Sequence, residues 1–177
     1  SHQYEDMIGN KTFASRGANM AFNKGIVVVI SAGNSGATAE PHIATPADAI
    51  GALTIGAVNS TEVYASFSSI GPSFDGRVKP DVCAKGLQAT VSNTSGGIVT
   101  ASGTSFSSPI MAGMVATFWS AVPTLTAQQV VDFIRQSADN YNAPTNQKGY
   151  GIPDFQLALT NALNLETVEA NQNFVVY

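Results

Sequence analysis

The sequence predicts an α/β fold, a mostly parallel sheet between helices, on three observations. A helical pattern over Thr12 to Lys24 runs straight into Ile26-Val27-Val28-Val29-Ile30. Such an unbroken, mostly β-branched run suits a central parallel strand covered on both faces. A second apolar strand, Ala52 to Val58, follows after a loop. Third, Ile110 to Val122 carries Ile110, Met111, Met114, Val115, Phe118 and Trp119 at helical spacing among small residues, which predicts a buried helix.

Composition agrees with a layered, well-covered chain. The 177 residues are 44% hydrophobic and only 11% charged, against a usual charged share of ~25%. Eight basic residues against 12 acidic ones leave a net charge of -4 with no basic cluster, so the electrostatic footprint of a nucleic-acid binder is absent. No apolar run approaches the ~20 residues of a membrane span. Cys83 is the single cysteine and lies in an apolar stretch, which reads as a packed, inert thiol.

Taken in order, the first helix places Phe13, Ala14, Ala18, Ala21 and Phe22 on roughly one face, and Gly25 ends it. The loop Ser31-Ala32-Gly33-Asn34-Ser35-Gly36 leaves the carboxyl end of the first strand, the edge at which open α/β sheets hold ligands. Pro41 and Pro46 mark the loop before the second strand. Val78 to Ala84 reads as a short strand whose Pro80 argues for an end or an edge. Ala89 to Asn93 and Ile98 to Ala101, joined by Thr94-Ser95-Gly96-Gly97, form a hairpin.

Downstream of the long helix, Thr126 and Gln129 form a capping box stapled by Leu125 and Val130, with helix through Ala138. Asn140 to Pro153 is loop. Asp154 caps a last helix bearing Leu157, Ala158, Ala162 and Leu163, and a polar, linker-like tail follows Asn164. The expected organisation is one unit over residues 1–164 and a tail over 165–177.

Two residues carry chemistry. Ser105 stands where Ser102-Gly103-Thr104-Ser105-Phe106-Ser107-Ser108-Pro109 turns into the long helix, so unpaired N–H groups and the helix dipole favour negative charge beside it. Pro109 is expected near that helix's start, where its missing N–H is no loss. Asn34, on the sheet-edge loop, offers a side-chain amide of the type that stabilises a charged carbonyl oxygen in acyl transfer. Taken alone, each has an ordinary explanation, a helix cap for Ser105 and a turn for Asn34.

The segment Gly103 to Pro109 resembles the Gly-Thr-Ser-x-(Ala/Ser)-(Ala/Ser)-Pro signature of subtilisin-like serine peptidases. Ser31 to Gly36 resembles their Ala-Ala-Gly-Asn-x-Gly segment. Pro46 to Ala49, Leu53 to Val58, Phe67 to Pro72, Asp75 to Val82 and Gly149 to Asp154 follow in the family's order, so the resemblance spans Thr12 to about Asn164. One departure, Ala84-Lys85-Gly86 for Ala-Pro-Gly, leaves the chemistry untouched. The resemblance implies the C-terminal portion of a three-layer catalytic domain, Ser105 as nucleophile and Asn34 as oxyanion donor. It also implies a substrate cleft at Ala32, Gly33 and Gly103.

It further implies a polypeptide substrate and a secreted bacterial setting. No cofactor is evident; structural calcium is a possibility for a complete domain, with no carboxylate-rich loop here to hold it. The family's base and acid have no counterpart in matching context: His2 and His42 read as surface histidines, and Asp6, Asp48, Asp75 and Asp81 as turn or structural residues. The expectation is a chain inactive alone, completed by an upstream half and exposing an apolar face without it. The alternative is a non-catalytic binding domain on the same scaffold. Asn173-Phe174-Val175-Val176-Tyr177 resembles the lead-in to a C-terminal sorting domain.

Overall fold

A computed structural model describes residues 2–172, with side chains over residues 2–165. Asn173 to Tyr177, the stretch resembling a sorting-domain lead-in, lie outside the described residues. Helix α1 spans Phe13–Asn23, with Thr12 capping the Ser15 N–H. Strands β1 (Val28–Ser31), β2 (Ala52–Val58) and β3 (Val82–Lys85) form a parallel sheet in the order β1-β2-β3. The hairpin β4 (Ala89–Ser92) and β5 (Ile98–Ala101) leads into α2 (Thr104–Ala121), followed by α3 (Ala127–Gln136) and α4 (Phe155–Gln172).

Pairing of Val29 with Leu53 and of Ile55 with Val82 puts these side chains on one face of the sheet. There they meet Met111, Val115 and Phe118 of α2, with Val130 and Ile134 of α3 and Ala158 and Ala162 of α4 closing the cluster. Ile30 turns the other way, toward Ala32, Ile43 and Ala47. The capping box of α3 forms as the sequence predicts, and Asp154 accepts the Gln156 and Leu157 N–H groups at the start of α4.

Four expectations change. The central strand is β2, buried throughout, whereas β1 is an edge strand and half-buried along its length. Its β-branched run fits a pleated backbone but says nothing about how many neighbours it has. The long helix, expected to be buried, is covered on one side only: Ile110 is 45% and Met114 43% exposed. Pro109 lies inside α2 rather than at its first turn, because the helix begins at Thr104. Finally, the backbone stays helical to Gln172, past the expected start of the tail at residue 165.

The amino ends of β2 and β3 are joined by buried charge. Lys79, 2% exposed, donates to Ala52 O at 2.8 Å, Thr54 Oγ1 at 3.1 Å and Asp81 Oδ2 at 2.7 Å. Asp81 also accepts from Arg135 Nη2 at 2.7 Å and Thr54 N at 2.6 Å. Burial alone would raise the Asp81 carboxyl; Lys79 and Arg135 outweigh it and hold the group below the usual carboxylate range. Burial lowers Lys79, against the pull of Asp81. Since three oxygens accept from its Nζ, and a neutral amine has only two N–H bonds to give, the pair is ionised.

Asp81→Ala is therefore expected to cost about 3–5 kcal/mol, the penalty for orphaning a buried charge. Urea unfolding measures it, and a loss below about 1 kcal/mol would contradict this account. Because the folded-state value is depressed, the carboxylate's contribution is complete above the unfolded value of about 3.9 and disappears as pH falls below it. Asp81→Asn should flatten that part of the acid limb.

Candidate active site

The site is built from two segments brought together at the carboxyl edge of the sheet. Asn34 follows β1 on a loop clamped to residues 67–69: Gly36 N donates to Phe67 O at 2.9 Å, Ser35 N to Ser69 Oγ at 3.0 Å, and Ser69 N to Gly33 O at 2.9 Å. Gly33 has φ +107°, and a Cβ there would stand 2.8 Å from Ser69 Oγ, so the clamp requires glycine. Ala32 turns its methyl group into the cluster with Ile43 and Ala47. Any cleft at this point is lined by Gly33 and by backbone.

The second segment arrives through Gly86 and Gly103. Gly86 N donates to Val58 O at 2.9 Å and Gly86 O accepts from Gly103 N at 2.8 Å, tying the start of α2 to the end of β2. A Cβ on Gly86 would lie 2.7 Å from Ala57 Cβ and 2.9 Å from Gly103 O. Only glycine permits that approach. Gly103 is also the N-cap of α2 and has no side chain to cap with.

Asn34 supplies the missing cap from outside the helix. Its Oδ1 accepts from Thr104 N at 2.9 Å and from Thr104 Oγ1 at 2.9 Å, while Thr104 Oγ1 accepts from Gly33 N at 3.2 Å. Two donors on one oxygen fix which end of the amide is which. Nδ2 is left without a hydrogen-bond partner among the described residues, close to Gly103, whose Cβ would lie 3.4 Å from it.

Ser105, next in sequence, is exposed. Neither its N–H nor its hydroxyl has a partner among the described residues. Pro109 cannot donate to the Ser105 carbonyl, and Ser107, buried one turn in, donates to Thr104 O at 3.0 Å. The surroundings thus hold an exposed hydroxyl, a free backbone N–H and a free amide at the positive end of a helix dipole, with no charged side chain bonded to them. Such a set can receive negative charge on an oxygen.

The sequence-predicted pair, Ser105 and Asn34, is brought together through Thr104. The histidines are elsewhere: His42 stacks on Tyr4 with ring centroids 4.0 Å apart, and His2 lies 3.8 Å from Asp6. The aspartates have other partners. Asp48 accepts from Gly9 N and Ser15 Oγ, Asp75 from Ser73 and Arg77, Asp81 from Lys79 and Arg135, and Asp6 pairs with Lys11. Burial pushes the Cys83 thiol up to about 12, as an inert packed cysteine requires.

Sequence reasoning passed over Thr104, although it lies inside the quoted signature. Its partners, Gly33 and Asn34, are 71 and 70 residues away in sequence, so no local pattern marked it. Among the described residues no group of three or more His, Cys, Asp or Glu side chains could hold a metal ion. No helix there is long and apolar enough to cross a membrane.

Comparisons with known proteins agree with the fold. The family model described as the Subtilase family matches residues 2–151. Subtilisin DY of Bacillus licheniformis is 35% identical over 130 residues, covering 73% of this chain and 45% of that relative. Serine protease AprX of Bacillus subtilis is 31% identical over 161 residues, covering 79% of this chain and 35% of the relative. The chain thus spans less than half the length of these two relatives. Among solved structures, the self-cleaved protease domain of PatA superposes with a TM-score of 0.70 at 23% identity, over 84% of this chain and 54% of that one. MycP1 from the ESX-1 type VII secretion system gives 0.68 at 26% identity, over 85% and 46%.

The cap predicts a separable effect. Asn34→Ala should lower stability to urea by about 1 kcal/mol, as loss of a helix cap does. Asn34→Asp keeps an acceptor for Thr104 and should lose less. Equal losses in the two variants would argue against the capping role.

Proposed function

The chain belongs to the subtilase family, and from that membership we propose that it carries the nucleophile and oxyanion donors of a serine endopeptidase. Ser105 Oγ attacks the carbonyl carbon of a peptide bond, giving its proton to a base as the C–O bond forms. The carbonyl oxygen becomes an oxyanion and takes hydrogen bonds from Asn34 Nδ2 and Ser105 N. Collapse expels the amine, which collects the proton, and leaves an acyl-enzyme for water to hydrolyse. Gly33, Gly103 and the backbone at Ala32 line the substrate cleft. The observation that carries this reading is the Asn34 amide, pinned by its oxygen to Thr104, the residue before Ser105, with no partner among the described residues for its N–H groups or for the Ser105 N–H.

The base and the carboxylate that orients it come, in this proposal, from a polypeptide segment outside the described residues, laid along β1. Two features support that placement. Among the described residues β1 pairs with a neighbour on one side only, and α2, which packs on β1, leaves Ile110 and Met114 open. The chain by itself is then inactive. An extracellular setting, which the resemblance to secreted bacterial enzymes implies, belongs to the same proposal. The competing reading, a binding domain without catalysis, draws on one fact: neither histidine is hydrogen-bonded to Ser105.

In the full-length protein, Ser105→Ala is expected to abolish casein hydrolysis and labelling by a serine-directed phosphonate. Asn34→Asp should fold and yet lose roughly 100- to 1000-fold in rate, a size taken from the same donor in a subtilisin itself rather than derived from this geometry. Retained hydrolysis by Ser105→Ala would remove the assignment. Absence of phosphonate labelling in the folded wild-type protein would favour the binding domain.

A further inference from the structure

Phe106 is the one large side chain in the stretch Ser102 to Pro109, which is otherwise built of hydroxyl-bearing and small residues. Its place follows from the helix start. Gly103 is the N-cap of α2, and Phe106 N donates to Gly103 O at 3.0 Å, closing the first turn. A helical side chain leans back toward the N-terminus, so a ring at this position falls over the turn that precedes it. The structure shows this: a Cβ on Gly103 would lie 3.6 Å from Phe106 Cδ2 and 3.7 Å from Cε2.

The same Cβ would lie 3.4 Å from Asn34 Nδ2. The ring edge and the amide nitrogen thus flank one point, and all three distances are ordinary van der Waals contact. Glycine leaves that point open, with room for a single heavy atom between donor and ring. At φ +156° the backbone there also favours glycine. Phe106 is half-buried and, among the described residues, belongs to neither apolar cluster of the core. Its packing is spent at the site.

Asn34 is exposed, and a donor open to water is hydrated until an oxyanion takes the water's place. A ring beside the donor occupies part of that volume and offers no strong acceptor to compete for the N–H groups. It also lowers the local dielectric, which strengthens a hydrogen bond to an anion. We infer that Phe106 is a positioning residue for acyl transfer: its ring walls the space in front of Gly103, holds the Asn34 amide in orientation and keeps water from one flank of the oxyanion site. It acts through Asn34, not on the substrate. The role rests on the peptidase reading proposed above.

The test measures kcat and KM of the full-length protein on a chromogenic peptide anilide. Phe106→Ala is expected to lower kcat about tenfold with KM nearly unchanged, a coupling of the size found between residues in contact. Phe106→Leu, which restores an apolar wall without the ring, should recover most of that loss. In an Asn34→Ala background, where the donor is gone, Phe106→Ala should change kcat by less than about twofold. A merely structural defect would lower kcat alike in both backgrounds. The side-chain amide resonances of Asn34, assigned by their loss in Asn34→Ala, read the contact without turnover: Phe106→Leu should shift them as the ring current disappears. An unmoved resonance, equal losses of kcat in both backgrounds, or a loss confined to KM overturns the inference. Wild-type protein that hydrolyses no peptide overturns the peptidase reading itself, a failure distinct from active wild type with uncoupled variants.

Discussion

One amide oxygen, Asn34 Oδ1, holds together two segments 70 residues apart in sequence. A helix that begins close to a sheet edge needs acceptors for its first N–H groups, and the local cap position here is Gly103, which has none to offer. The acceptor comes instead from the loop after β1. Because the oxygen is spent on Thr104, the residue before Ser105, the amide's N–H groups are not used in capping and have no partner among the described residues. A serine or threonine cap at position 103 is disfavoured by its φ of +156°, and it would bring no second pair of donors to the surface where Ser105 stands. Capping from a distance is what turns a structural requirement into a site.

The sheet separates two kinds of polar chemistry by its direction. At the amino ends of β2 and β3, charged groups are buried among one another: Lys79, Asp81 and Arg135, with Thr54 as the neutral partner. At the carboxyl ends the network consists of hydroxyls and amides, from Ser69, Thr104, Asn34 and Gly33. Fixed charge near Ser105 would bias the site before any reaction, whereas neutral dipoles held in place respond when charge appears on an oxygen. The central strand makes the separation possible: β2 is buried from end to end, so the two ends do not share solvent through the middle of the sheet.

Local chemistry was legible in the sequence and neighbourhood was not. Thr126 and Gln129 announced a helix start because the capping box is closed within four residues. Thr94-Ser95-Gly96-Gly97 announced a hairpin for the same reason. Ala52 to Val58 read as a strand, and it is one. By contrast Ile26 to Ile30 read as a central strand, since an apolar β-branched run looks alike whether it has one neighbour or two. The apolar spacing of α2 located Met111, Val115 and Phe118 in the core but placed Ile110 and Met114 there too, because a helix apolar all round does not declare which side is covered. Thr104 was hidden by the same limit: its two partners, Gly33 and Asn34, are remote in sequence. Nothing in the sequence set Lys79 apart, because Ala52 and Thr54, which surround it with Asp81, are 27 and 25 residues away.

The misread elements lie together. β1 is an edge strand made of Val28, Val29, Ile30 and Ser31, without the charge, proline or bulge that usually protects an exposed edge from pairing. The helix packed on it shows solvent Ile110 and Met114. In a chain with few charged residues, leaving this side bare costs hydrophobic contact and leaves backbone groups of β1 without strand partners among the described residues. A segment pairing with β1 would remove both costs at once, and a strand added in parallel register would end at the same sheet edge as Asn34, beside the hydroxyl that lacks a proton acceptor. In the proposed enzyme, one neighbour along β1 would both cover this edge and bring the base to Ser105.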